Sequence, residues 1–287
     1  MRRRQYIIMA CLFLIVLGIL VFYPKKSTPV ITYFPLDEES QFQQATNTLR
    51  LSQAEQSDSY SITWDNHSAS DDILYLRQDV SVLYKDGHLI GVKSIWEENG
   101  KTIDFSETFN FKNDHFFQAI TLHYGEKHYP GDIINSLQKM SYSELFVTGQ
   151  QKNGIPFFEE PKTNHDSHAQ TELQQKTKEN LQHHWHKLKS YFNIDLAQYE
   201  VVPLTELHQF ETKGLLSFTQ EQTDEIIAKL WEGLYKNYIV PITSEKEKDS
   251  DSYIPLILFG KHEHDILVLF ELNGEKIKLK QIYPTFQ

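Results

Sequence analysis

Histidine is the residue whose number and spacing could do chemistry in this chain. The 287 residues hold thirteen, and five lie between positions 165 and 186. His165-Asp166-x-His168 precedes a long segment of helical period, and His183-His184-Trp185-His186 lies within it. On a helix, His183 and His186 are i, i+3 neighbours that can share a ligand, whereas His184 points elsewhere. Imidazoles beside a carboxylate can bind zinc or copper, or titrate near neutral pH. The candidate metal ligands are therefore His165, His168, His183 and His186, with zinc or copper as the ion and no other cofactor expected. A second group, His262-Glu263-His264-Asp265, falls at the tip of a predicted hairpin. A closed site needs at least three convergent ligands. The spacing argues for two, which favours exposed polar side chains on helix and turn surfaces.

Other chemistries leave no local trace. The chain has no G-x-S-x-G elbow, P-loop, dinucleotide glycine fingerprint or H-E-x-x-H. That disfavours the commonest hydrolases, nucleotide enzymes and zinc proteases. It leaves Ser/His/Asp or paired-carboxylate sites assembled from distant positions, which geometry alone reveals. No catalytic residue is assigned. The acidic doublets Asp71-Asp72, Glu97-Glu98 and Glu159-Glu160 stand beside turn signals and read as solvated charges. The sequon Asn66-His67-Ser68 matters only in a glycosylating host. Fifteen tyrosines and eighteen phenylalanines are abundant, and alternating aromatics on strands usually mean core.

The elements that would position these residues begin with an anchor. Tyr6 to Tyr23 runs eighteen residues without a charge, between Arg2-Arg3-Arg4 and Pro24-Lys25-Lys26. As a helix it would be about 27 Å long, close to the hydrocarbon thickness of a bilayer. A cleaved signal would end in small residues, and this run ends Leu20-Val21-Phe22-Tyr23. A lipid-modified Cys11 would put the long apolar stretch on the wrong side of the cysteine. The expectation is a permanent transmembrane helix. Three arginines against two lysines favour a cytoplasmic N-terminus and an extracytoplasmic C-terminal region.

Composition bounds the remainder. Cys11 is the sole cysteine, so the outer region has no disulfide, thiolate nucleophile or cysteine ligand. The whole chain carries −11 while its first 26 residues carry +5, which leaves −16 on residues 27–287. That excess of acid argues against a nucleic-acid partner and against lying flat on an anionic membrane.

The pattern predicts an α+β fold: an N-terminal transmembrane helix, an antiparallel β-meander, helices, and a C-terminal β-hairpin. The expected divisions are a cytoplasmic tail 1–5, the anchor 6–23, a polar tether 24–59, a β-rich subdomain 60–148, a linker 149–170, and an α+β subdomain 171–287. Asp86-Gly87 and Asn99-Gly100 are the hairpin signals of the meander. Pro130-Gly131 is expected to open a helix carrying Ile133, Ile134, Leu137 and Met140. Leu173, Thr177, Leu181, Trp185, Leu188 and Phe192 form one helical stripe. Thr219 and Gln222 form a capping box ahead of a second helix with Ile226, Ile227, Leu230, Trp231, Leu234, Tyr235 and Tyr238 on its apolar face. In the last strand, Ile277, Leu279 and Gln281 alternate with Lys276, Lys278 and Lys280.

These readings lead to a single-pass membrane-anchored binding or accessory protein of the cell envelope. The anchor binds the membrane and the outer region engages another membrane or envelope protein. The alternatives are an envelope hydrolase with a dispersed active site and a His-based metal- or pH-sensing domain.

Overall fold

The computed structural model describes residues 31–32, 34–54, 59–148, 156–244, 252–262 and 264–282. The expected anchor at Tyr6–Tyr23 lies outside them. Among the described residues no helix is long and apolar enough to cross a membrane. The fold is mostly antiparallel sheet with a few helices, and a C-terminal sheet of hairpins closes it.

The first sheet is organised by two long strands. β1 spans Phe42–Ala54, β2 Ser59–Lys85, β3 His88–Lys112, β4 His115–Tyr129, β5 Ile133–Val147 and β6 Phe157–Phe158. β2 and β3 pair along their whole length, and β2 also pairs with β1 at one end and β4 at the other. The β2–β3 ribbon is folded double. Gly91, near the start of β3, lies against Trp64 of early β2 and Phe109 of late β3. Lys85, at the end of β2, lies over the Phe111 ring at 5.3 Å. One layer is thus late β2 with early β3, β4, β5 and β6. The other is early β2 with β1 and late β3. Leu49, Tyr60, Ile62, Trp64, Leu83, Phe117, Ala119, Leu145 and Val147 fill the space between them.

Three readings of this region change. Asn99-Gly100 is a bend inside β3, not a hairpin. Asn99 takes φ 53°, a left-handed conformation that asparagine tolerates. Opposite it, the register of β2 shifts between Ala69 and Leu74. Ser70 Oγ bonds the Asp72 and Lys101 carbonyls, and the buried Arg77 donates to the same Lys101 carbonyl. Pro130-Gly131 opens a turn rather than a helix. Gly131 (φ 85°) and Asp132 (φ 59°) reverse the chain, and β5 pairs with β4 from Ile133 to Val147. Residues 42–54, expected in the tether, form β1. A strand buried on one face asks only for alternate positions. β1 meets that demand with Ala45, Asn47 and Leu49 facing inward.

The helical layer follows the expected stripes. α1 spans Asn164–Phe192 and buries Leu173, Thr177, Leu181 and Leu188. Thr163 and Asp166 form its capping box. Of the expected linker, residues 149–155 lie outside the described residues, 157–158 form β6, and α1 starts at Asn164. α2 spans Gln220–Leu234. Gln222 N–H donates to Thr219 Oγ1 at 3.3 Å and Thr219 N–H to Gln222 Oε1 at 3.0 Å, completing the predicted box. A π turn at Tyr235–Ile239 leads into the short α3, Val240–Ser244. All seven predicted apolar residues of this helical face are buried.

The second sheet has the order β10-β9-β8-β7. Its strands are β7 (Tyr199–Pro203), β8 (Leu256–Gly260), β9 (Asp265–Leu272) and β10 (Glu275–Ile282). β8 and β9 are buried on both faces. Ile257, Phe259, Ile266, Val268, Phe270 and Leu272 join α2 and the outer face of the first sheet in the largest core cluster. Leu256, Leu258, Leu267 and Leu269 pack against Leu188 of α1. Burial on two faces explains why these strands read as unbroken apolar runs.

Candidate functional site

The four histidines singled out by spacing do not converge. His165, His168, His183 and His186 are all exposed, and all lie on α1. Corresponding members of the two pairs stand eighteen positions apart, which is roughly 27 Å along a helix at about 1.5 Å per residue. Among the described residues no group of three or more His, Cys, Asp or Glu is placed to hold a metal ion. His184 stacks on Tyr253 with ring centroids 3.4 Å apart. In the second histidine group Glu263 lies outside the described residues. Asp265 there is buried and pairs with Lys280 at 3.0 Å. The acidic doublets stay near the surface, and Asp72 pairs with Lys127 at 2.8 Å. Asn66 of the sequon is 2 % exposed and belongs to the core.

That core holds a polar network that the sequence did not announce. Asp79 Oδ2 accepts from Asn66 Nδ2 (2.6 Å), Ser68 Oγ (2.7 Å) and His123 Nδ1 (2.9 Å). His123 Nε2 meets Ser141 Oγ at 2.8 Å. Arg77, also wholly buried, bonds Ser70 Oγ and Ser68 Oγ and lies 4.9 Å from the Phe42 ring centroid. Asp79, His123 and Ser141 stand in the order of a hydrolytic triad. β1, however, packs against this face of the sheet. Its Asn47 donates to Thr121, and its Leu49 N–H donates to Ser143 beside Ser141. Neither Asp79 nor His123 exposes any side-chain surface. The network is the polar centre of the doubled sheet.

One arrangement with access is a groove of about 440 Å³ between α1, the outer face of β4–β5 and the 3-10 segment Leu204–Glu211. Strand pairing sets Gln118 of β4 directly opposite Glu144 of β5. Alternation puts Tyr142 on the same face, two residues away. Gln118 Nε2 donates to the Tyr142 hydroxyl (3.0 Å), which donates to Glu144 Oε2 (2.9 Å). The 3-10 segment brings Glu206 to the exposed rim and stacks His208 on Tyr142, with centroids 4.4 Å apart and planes 3° from parallel. His208 Nδ1 donates to the Thr205 carbonyl at 2.9 Å, which orients the ring. α1 contributes Thr177, Lys178, Leu181 and Trp185, and Phe116 and Ile254 complete an apolar floor. The Trp185 indole N–H donates to the Ile254 carbonyl at 2.9 Å.

The electrostatics of the groove are unusual for two carboxylates. Loss of surrounding water raises the Glu144 carboxyl above its ordinary value, against the opposing effects of the Tyr142 hydroxyl and His208. The same loss raises Glu206, again opposed by His208. Tyr142 is pushed up by burial and then by the Glu144 charge, with a smaller contribution from Glu206. Both carboxylates therefore act on the same two neighbours. Thr177 is 3 % exposed, and its Oγ1 has no hydrogen-bond partner among the described residues.

None of these residues was singled out from sequence. The available signals were weak: a Tyr142-x-Glu144 alternation on one strand and a Glu206-x-His208 pair in an irregular segment. They meet because the 3-10 segment packs directly on β5.

No family model and no curated protein matches this chain. Two solved structures show a local likeness. One is a β-glucuronidase of Bacteroides uniformis, with a TM-score of 0.24, 11% identity, and coverage of 35% of this chain and 12% of the enzyme. The other is Bacteroides uniformis β-glucuronidase 2, covalently bound to cyclophellitol-6-carboxylate aziridine. Its TM-score is 0.25 at 11% identity, over 40% of this chain and 15% of the enzyme. A likeness of this size carries no argument about fold or activity.

Proposed function

We propose that this protein is a single-pass membrane-anchored accessory protein of the cell envelope. Tyr6–Tyr23 is its anchor, its N-terminus is cytoplasmic, and its α+β region binds another membrane or envelope protein outside. The observation that carries the binding role is the α1 groove. An apolar floor with a few converging polar groups and perturbed carboxyls is the common form of a binding site. The test places a photo-crosslinking amino acid at Lys178, on the exposed rim, in intact cells. A discrete adduct is expected, and Gln174→Trp on the same rim should abolish it. No adduct, or one indifferent to the block, counts against the groove. Exchanging the anchor for an unrelated one should leave function intact.

A second reading is an envelope hydrolase of glycan or peptide with a dispersed site. Glu144 and Glu206 favour it, since two carboxyls raised by their surroundings can divide acid and base roles. Hydrolysis of an envelope glycan or peptide that Glu144→Gln abolishes in a folded variant would establish it.

A further inference from the structure

We infer that the α1 groove receives a basic side chain of the bound protein, a lysine ammonium or an arginine guanidinium on its aliphatic stem. This rests on the groove being the contact site proposed above. The first observation is the charge inside it. Glu144 and Tyr142 face it from β5, Glu206 and His208 from the 3-10 segment, and Lys178 from α1, while β4 contributes only the uncharged Gln118 and Phe116. Two carboxylates thus outweigh one rim lysine.

The second observation is Thr177. It is nine-tenths buried and more, it lines the groove, and its Oγ1 bonds nothing among the described residues. A hydroxyl oxygen can accept, as can both carboxylates. Ammonium and guanidinium groups carry several donors and no acceptor, together with the positive charge that two carboxylates favour. The third is the floor. Phe116, Leu181, Trp185 and Ile254, with the Tyr142–His208 stack, offer apolar and aromatic surface. A lysine or arginine stem lies well on such surface while its charged end reaches polar groups.

Calorimetry on the full chain in detergent micelles tests this with two peptides, acetyl-Leu-Arg-Leu-amide and its citrulline counterpart. Citrulline keeps the shape of arginine without the charge. The arginine peptide should bind about tenfold or more tightly than the citrulline one, a difference of about 1.4 kcal/mol or more. E144Q combined with E206Q should erase that difference, and T177V should weaken the arginine peptide alone. Equal binding of the two peptides overturns the inference. If Gln174→Trp then displaces both, the groove survives as the contact site without a charge preference. Binding of neither peptide, with the cellular adduct still formed, overturns the basic ligand but not the contact.

Discussion

Glu144 and Glu206 should give stability and binding opposite responses to pH. A carboxyl whose folded pKa lies above its unfolded value holds its proton more tightly when folded. Its contribution to stability is present below the ordinary value of 4.5 and is lost as pH rises through the raised folded value. A cationic ligand needs the ionised form, so its affinity should grow across the same window. Between about pH 4 and 7 the native chain should lose stability in urea denaturation relative to E144Q with E206Q, while its affinity for the peptide grows relative to that variant.

The buried network supplies a second test at this scale. Asp79→Ala removes the acceptor shared by Asn66, Ser68 and His123, and the negative charge near Arg77, from a wholly buried site. Such a break costs on the order of 3–5 kcal/mol, read as a lowered denaturation midpoint. A change within about 0.5 kcal/mol, the range of ordinary surface substitutions, would show the network to be inessential.

Among the elements, the β2–β3 turn ties the sheet to α1. Asp86 (φ 50°) and Gly87 (φ 81°) supply the positive angles of a tight hairpin. A Cβ on Gly87 would lie 2.8 Å from Leu181 Cδ2. Gly87→Ala therefore combines backbone strain of about 1–2 kcal/mol with displacement of the helix. It should lower the melting temperature and weaken binding in the groove that Leu181 lines. A full-strength groove in this variant would uncouple turn from site.

The same elements show what the sequence could convey. Asp86-Gly87 and both helical stripes were legible because their signals are local: a turn chemistry, a period, a cap. Asn99-Gly100 carries the same turn chemistry, yet it bends a strand, because residues from Ser70 to Arg77 stitch the backbone there instead of letting it reverse. Ile133, Ile134, Leu137 and Met140 fit a helix by spacing, but β4 offers a full ladder of partners to the same residues. β1 looked too polar for a core because one of its inward positions is Asn47, which the Trp64 indole and Thr121 hydroxyl satisfy. In each case a partner distant in sequence outweighed a local preference. The candidate site was illegible for the same reason, since Thr177, Glu144 and Glu206 share no motif and meet through packing.

At the scale of the whole molecule, the proposed anchor predicts behaviour in cells. The full chain should sediment with membranes, resist alkaline carbonate, and require detergent for release. Deleting residues 1–26 should free the acidic remainder into the soluble fraction outside the cytoplasm only if an export signal replaces it. A full chain that washes off with salt or carbonate would contradict the anchor.

The lysine-bearing strand β10 has a consequence for how many copies can sit side by side. Among the described residues it pairs only with β9. A sheet edge of this kind invites a strand from a neighbouring molecule. Lys276 and Lys278 lie over the Tyr191 and Phe192 rings, and Lys280 is held by Asp265. A second molecule pairing its own β10 there would have to bring its row of lysines against this one. If the chain is anchored as proposed, molecules crowded on one bilayer would repel along the border where they could otherwise zip together.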